Sequence, residues 1–408
     1  MSPLTSRSVW LFAISVLIGS FSPASAQTQV ATQPKDTTKS KPADTTTAPA
    51  PAAAAAAPTT FPLGIKLGGF GEASYVYSNN AAEGVIVGRL YDRYSQSFSL
   101  NGIEFIADRP YATNKVDAGV HSNFIIGQNA AVLYSTGLQI GQNIDITQLF
   151  VTLNLPTANG NGIQFKFGKM VTLMGLEVIE TTANPNWSLG NQFIYLENFT
   201  STGIEMDYKA SGAVSFAIRL DNGWDRVVDT TGHKSVMGSL ALSGKNTTLN
   251  LVPYYGPEQD GSSAARYGID ALFNQKIGSK TSVWIQGDYG TEKANYALPD
   301  STKDATWWGI GGWIAQDLSP TLNLALRGDY ISDNQGARTA GAFGLTSVFT
   351  PGFPYEAHVL WSATGTLNVK TFPNVLLRPE VRYDHSKFQV FNGEFEQFSV
   401  AFSAAYSF

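Results

Sequence analysis

The sequence predicts an all-β fold: a closed transmembrane barrel of antiparallel up-and-down strands, about sixteen of them within a range of roughly 14–18. Three observations carry this. Short segments alternate apolar and polar residues at period two from residue 61 onward, and none approaches the ~18 consecutive apolar residues of a membrane helix. The connections between segments alternate between brief and long. The composition is 43% hydrophobic and 12% aromatic but only 14% charged, which is poor in charge for a surface that meets water alone. A soluble β-sandwich shares the period, so the connections and the placing of charge decide.

Residues 1–26 read as a secretory signal peptide. Arg7 supplies a positive start, 9–19 (VWLFAISVLIG) an apolar run, and Ala24 and Ala26 the small residues before cleavage at Gln27. The run is shorter than the ~20 residues a spanning helix needs. Residues 27–60 are Ala, Thr, Pro and Lys with almost nothing to bury, and read as a disordered periplasmic linker. The linker is either a spacer through the cell-wall layer or a tether without a partner. The barrel then occupies residues 61–408.

The strands follow in order. The first lies near 64–77. The second, around 98–108 (FSLNGIEFIAD), has no clean phase. Next, Val116, Ala118, Val120, Ser122, Phe124 and Ile126 alternate with Asp117, Gly119, His121 and Asn123. Thr147, Leu149, Val151, Leu153 and Leu155 alternate with Gln148, Thr152 and Asn154. Ile163, Phe165 and Phe167 form the next set, then Thr202 to Tyr208, Val214 to Leu220, Leu322 to Tyr330, and Val359 to Val369. The stretch TWWGIGGWIAQ is apolar on both faces, and Pro253 and Pro379 each remove a ladder donor inside an expected strand. The chain finishes in EQFSVAFSAAYSF, where Phe398, Val400, Phe402, Ala404, Tyr406 and Phe408 alternate with small or polar residues.

Seven connections are brief: RPYATNK, PTANGN, KASGA, SGKNT, IGSK, DLSPT and KTFPN. Eight are long: 79–94, 127–145, 170–198, 222–234, 256–264, 291–304, 333–355 and 386–394. Short turns on one rim and long loops on the other match a transmembrane barrel with short periplasmic turns and long extracellular loops. An even strand count puts both ends of the barrel on the periplasmic rim, where the linker arrives. Tyr75, Tyr77, Tyr289, Trp307, Tyr330, Trp361, Tyr383 and Tyr406 sit near strand ends, as interfacial aromatic girdles do. The charged alternate set would line a wet lumen, because no dry core could hold so many charges unpaired.

Several function classes are disfavoured. With no cysteine there is neither a disulfide framework nor a Cys-based metal site, and four His suggest no other metal centre. No cofactor is expected. Removing 1–26 takes away one Arg and moves the net charge from −5 to −6, a poor balance for nucleic acid binding. Enzymatic chemistry has only His358 with Ser362, and His385 beside Asp384, as hints. A plugged siderophore-type transporter needs an N-terminal domain larger than 27–60. PEQDGSS could turn around a calcium ion, but such residues are common in any turn.

Four motifs, in order, resemble the β-barrel porin-2 family of bacterial outer-membrane proteins. They are Ser97-Phe98-Ser99-Leu100-Asn101; Gly168-Lys169 with Gly175 and then Glu177-Val178-Ile179-Glu180; Asn184-Pro185-Asn186-Trp187-Ser188; and Asn222-Gly223-Trp224-Asp225. The resemblance spans residues 64–408 and implies a porin-like barrel in the outer membrane of a Gram-negative bacterium, reached through the periplasm. It supplies no catalytic or ligand residues.

The strongest polar constellation is LRPEVRYD. Arg378, Glu380, Arg382 and Asp384 share one face of a strand, and Arg327 with Asp329 form a shorter version two strands earlier. These six are expected to line the pore, either as a ladder setting ion selectivity or as a salt-bridge network bracing the wall. The longest loop, 170–198, follows the fifth strand. It either lies on the surface or folds into the lumen, as the third loop does in sixteen-stranded general porins. In the second case Glu177 and Glu180 would face Arg378 or Arg382 across a constriction. Tyr406 and Phe408 resemble the C-terminal aromatic signal read by the barrel-assembly machinery. The functional expectation is a passive channel for small hydrophilic solutes or ions. The alternatives are a non-conducting barrel serving as adhesin or surface scaffold, and an outer-membrane enzyme. The outer face would meet lipid, and it leaves a homotrimer open because a neighbouring barrel presents the same apolar surface.

Overall fold

The computed structural model describes residues 64–81, 83–133, 135–138, 143–295, 298–340 and 354–408. The signal peptide and linker expected over 1–60 lie outside the described residues. Among the described residues, sixteen strands form one closed barrel in which each pairs antiparallel with its neighbours in sequence. In order they are β1 (Lys66–Ser78), β2 (Ser97–Arg109), β3 (Asp117–Ile126), β4 (Ile144–Leu155), β5 (Ile163–Val171), β6 (Thr200–Lys209), β7 (Val214–Asp221) and β8 (Ser235–Ser243). The second half comprises β9 (Thr247–Pro257), β10 (Ala265–Ile277), β11 (Thr281–Glu292), β12 (Ala305–Ser319), β13 (Leu322–Asp333), β14 (His358–Val369), β15 (Val375–Ser386) and β16 (Glu396–Ser407). The seam is β1 with β16, in register from Phe70↔Ser407 to Ser78↔Ser399. Closure leaves no sheet edge, so the ladder pairs most of the backbone groups that a bilayer core could not hydrate.

The alternation sorts the two faces. In β16, Phe398, Val400, Phe402 and Tyr406 are exposed on the outer wall while Gln397, Ser399, Ala401 and Ser403 are buried within. The same division holds in β15, where Arg378, Glu380, Arg382 and Asp384 point inward and Val381 outward. Aromatic pairs cross strands on the outside, Tyr75 with Phe98, Trp308 with Tyr330, and Trp361 with Tyr383. One expected girdle residue does not belong to this set. Trp307 points inward and is wholly buried, and its neighbour Trp308 takes the outer position. The two faces of TWWGIGGWIAQ are both apolar because the inner one packs against protein rather than water.

Local irregularities have local causes. The register between β1 and β2 passes from Glu72↔Gly102 to Ala73↔Leu100, so Asn101 is a bulge residue and shifts the phase of FSLNGIEFIAD. A second bulge skips Thr147 between Asn123↔Gln148 and Phe124↔Ile146. Thr147 is therefore buried rather than part of the outward apolar set. The ladder between β8 and β9 is interrupted beside Pro253, and that between β14 and β15 beside Pro379. Each proline stays paired on its other side, with Ile269 and Phe402 respectively.

The seven brief connections gather on one rim and the long ones on the other. The described parts of several long-rim loops fold in over the lumen, among them those of L1 (79–96), L2 (127–143), L3 (172–199), L7 (334–357) and L8 (387–395). Val87, Leu90 and Tyr91 of L1, Val132 and Leu133 of L2, Leu189 and Phe193–Leu196 of L3, Ala337 of L7 and Phe391 of L8 form one buried apolar cluster with Trp307, Ile331 and Leu360 of the wall. The long-loop half of the barrel thus has a dry core. The short-turn half does not.

Candidate functional site

L3 is the element around which the lumen is organised. Every residue from 186 to 200 is buried, which is unusual for a connection, because buried loop backbone must find hydrogen-bond partners. The inward charges of the wall supply them. Glu380 of β15 accepts from the backbone N–H of Trp187 at 2.8 Å and of Ser188 at 3.2 Å. Asp329 of β13 accepts from the Asn191 backbone N–H and from its side-chain Nδ2, both at 2.8 Å. Arg327 donates to the Ser188 carbonyl and to Glu177 Oε1, the latter at 2.6 Å. Arg382 donates to the Leu189 carbonyl at 2.6 Å, and Arg378 to the Thr181 carbonyl at 2.6 Å. On β14, Asn368 donates to the Pro185 carbonyl at 2.9 Å, and Thr366 Oγ1 accepts from Asn186 Nδ2 at 2.7 Å.

The loop also reaches the opposite walls. Glu180 Oε1 accepts from Asn123 of β3 at 2.7 Å and from Gln148 of β4 at 3.3 Å. Thr181 donates to Glu72 of β1 at 2.9 Å. Toward β10 and β11, the Gly175 N–H donates to Asp270 at 3.1 Å and the Leu176 N–H to the Gln286 side chain at 3.1 Å. Gln286 in turn donates to Glu197 at 2.7 Å, and Gln192 to Asp288 at 2.5 Å. Against β12, glycine makes the room. A Cβ on Gly309 would lie 2.6 Å from Leu196, and one on Gly311 2.0 Å from Gln192. L3 is therefore a strap that crosses the lumen and is fastened on both sides.

The six residues expected to line the pore all project inward, but they do not stand open to a lumen. Five grip L3 directly. Asp384, the sixth, pairs with Arg382 at 2.8 Å and with Arg89 of L1 at 2.5 Å. The expected facing of the two glutamates also needs correction. Glu177 meets Arg327, not Arg378 or Arg382, and Glu180 meets the amides of Asn123 and Gln148. Arg378 has Glu72 as its carboxylate, at 2.6 Å. L3 meets β15 through backbone groups, the Thr181 carbonyl at Arg378 and 187–189 at Glu380 and Arg382, while the Glu177 and Glu180 side chains reach β13 and β3–β4.

Other partners of the network were not singled out by sequence. Glu72 and Arg89 pair with residues some 300 positions away, at the barrel's closure. Asp270, Asp288 and Glu197 carry no pattern of their own, although inward phase in β10 and β11 could have marked the first two. The catalytic hints separate. His358 Nε2 lies 2.8 Å from Ser386 Oγ, Ser362 donates to Asp329, and His385 lies 3.9 Å from Glu396. In PEQDGSS, Glu258 accepts from Ser235 and the Trp224 N–H, and Asp260 from Arg226 and Thr230.

On the short-turn side of L3 lies a cup of about 600 Å³. Its floor includes Gly175, Leu176 and 182–185 of L3, and its walls are the short-turn ends of β9 to β15. What enters from this rim meets L3, and beyond L3 the apolar cluster of the loops.

Comparison with known proteins places this architecture. No curated protein sequence matches the chain. Among solved structures, the outer membrane channel DcaP of Acinetobacter baumannii superposes with a TM-score of 0.55 at 11% identity, over 86% of this chain and 100% of that one. The anion-selective porin from Comamonas acidovorans gives 0.56 at 11%, over 84% and 99%. OmpT of Vibrio cholerae in its trimer form gives 0.56 at 9%, also over 84% and 99%. At such identities the likeness is one of fold. The family comes from sequence: the whole barrel, residues 64–408, matches the model of the family described as "Putative beta-barrel porin-2, OmpL-like", and the chain belongs to that porin family.

Proposed function

We propose that this protein is an outer-membrane porin, exported through the periplasm, whose barrel is a passive water-filled passage for small hydrophilic solutes or ions. The observation that carries the reading is the inward polar set at the middle of β13 to β16, together with the 600 Å³ cup that lies beneath L3 on the short-turn rim. A barrel built only to present loops needs no such interior. In the conformation described, L3 closes the passage, so conduction requires L3 to shift from Glu380, Asp329, Arg327 and Arg382. Those residues then act as a latch as well as a lining. The short turns face the periplasm in this reading, and the barrel works without catalysis or cofactor. Contacts with lipid, with the barrel-assembly machinery through Tyr406 and Phe408, and with two further copies in a homotrimer fit the same reading. OmpT is solved as a trimer.

One observation favours the alternative, a non-conducting barrel serving as adhesin or scaffold. The loops bury a continuous apolar cluster over the lumen, as a permanent plug would. Purified protein in a planar bilayer separates the two. A porin gives discrete ohmic steps, rarer than in an unobstructed barrel and more frequent when Arg327 and Arg382 are both replaced by Ala. Silence in the wild type and in that variant would refute the channel.

A further inference from the structure

The cup has a charge pattern that mere passage does not require. Lys276 projects inward from β10, Lys280 sits in the β10–β11 turn, and Lys370 follows β14. All three line the cup, against a single carboxylate, Asp317. Asp317 accepts from Asn323 Nδ2 at 2.8 Å, and none of the three lysines has a carboxylate partner among the described residues. Lysines that point into the barrel elsewhere are matched, Lys166 by Glu205 and Asp207 and Lys169 by Asp145, and on the loops Lys234 pairs with Asp229 and Lys293 with Asp304, whereas the unpaired Lys66, Lys115 and Lys209 stand exposed outside any concave site. Cations left unmatched in a concave site bounded by protein raise the local concentration of anions. Trp284 adds one aromatic wall, and the volume falls in the range of small-molecule sites, roughly 300–1,000 Å³.

We propose that the cup is a binding site for small multivalent anions, molecules carrying two or more carboxylate or phosphate groups. Lys ammonium groups act as point charges with rotatable donors and suit either group without fixed geometry. Asn323, which shares the cup wall, is occupied by Asp317. The lysines are the charged donors of the cup, beside neutral hydroxyls such as those of Thr182, Ser279 and Ser282, and it is they that select by charge. A neutral sugar of the same size finds no such preference. The proposal deepens the porin reading, from which it takes only the orientation of the cup toward the periplasm, and it gives the passage a preference for anions at that mouth.

The test uses the full chain in detergent micelles at low salt, with citrate as the probe and glucose as its neutral counterpart, by titration calorimetry. Citrate should bind and glucose should not. The triple variant Lys276→Gln/Lys280→Gln/Lys370→Gln should bind citrate at least tenfold more weakly. Lys66→Gln/Lys115→Gln/Lys209→Gln, which removes the same charge at exposed positions outside the cup, should bind it as the wild type does. Heat-modifiable mobility on gels shows that each variant is folded. Equal affinity in the wild type and the cup variant, or an equal loss in the control, overturns the proposal. The outcome is independent of conduction: a silent barrel with lysine-dependent citrate binding removes the channel and keeps the site, and a conducting barrel without it does the reverse.

Discussion

At the scale of single residues, the inward charges are best understood through what each would lose if its partner were removed. Arg327 and Glu177 are buried to within 2% of full enclosure. Removing one member of such a pair leaves an uncompensated charge, at a cost of about 3–5 kcal/mol, whereas removing both costs far less. Arg327→Gln should therefore lower the urea midpoint of the micelle-embedded barrel more than Glu177→Gln/Arg327→Gln does, and only the single variant should expose L3 to protease. Additive losses would mean that the pair is not coupled. The same reasoning bears on charge reversal at Arg378 and Arg382. These arginines hold the Thr181 and Leu189 carbonyls, so replacing both with Glu should first detach L3 and raise the frequency of conducting steps. A pure shift in reversal potential, with step frequency unchanged, would mean that they face an open lumen instead.

At the scale of elements, L3 is held as much by close approach as by charge. Gly190 passes so near β13 that a Cβ there would lie 2.6 Å from Asp329 Oδ2 and 3.0 Å from Glu177 Oε2. Gly190→Ala should loosen the strap by the ~1–3 kcal/mol typical of overpacking, read as faster amide exchange over 186–196 with the strands unchanged. A second element contact, on the long-loop rim, depends on pH. Burial pushes the Glu258 carboxyl up to about 7, against the opposing pull of Arg266 and its hydrogen bonds to Ser235 and the Trp224 N–H. The folded state thus keeps a proton that the unfolded chain has released, so this contribution is complete below the ordinary value of 4.5 and is lost as pH rises through about 7. Protection of the Trp224 amide, corrected for intrinsic exchange, should fall over that window, and Glu258→Gln should make it flat. How much of this was legible in sequence follows from the range of the interactions. The strands and the alternation of short and long connections are local patterns and could be read, as could the inward phase of Arg378 to Asp384. The partners could not, because Glu72 with Arg378 and Glu380 with Trp187 are set by how the closed wall meets L3. The inward apolar face of β12 was visible only as an anomaly, since its reason, Leu196 and Gln192 against Gly309 and Gly311, lies more than a hundred residues away.

At the scale of the whole molecule, the barrel depends on one seam, and Phe408 sits at its end. The Phe408 N–H donates to the Gly69 carbonyl at 3.0 Å and its carbonyl accepts from the Gly69 N–H at 3.1 Å, while its ring packs 5.9 Å from that of Phe105 on the outer wall. Beyond these, the seam holds nine paired positions from Phe70↔Ser407 to Ser78↔Ser399. Two backbone hydrogen bonds are worth about 1 kcal/mol each, a small part of a closed sixteen-strand ladder. If Phe408 mattered only as a seam residue, its loss would leave the amount of inserted protein nearly unchanged. If its ring is read during assembly, the two properties separate. Phe408→Ala keeps both backbone bonds and removes the ring, so it should reduce the amount of barrel in the outer membrane several-fold while periplasmic export stays normal. The molecules that do insert should resist urea and heat nearly as the wild type does. Deletion of Phe408 should behave alike, with only a slight further loss of resistance. Quantifying the inserted and periplasmic pools together with gel-shift stability decides the matter: wild-type outer-membrane levels in both variants would remove the assembly role, and weakened resistance with normal levels would reduce Phe408 to a seam contact.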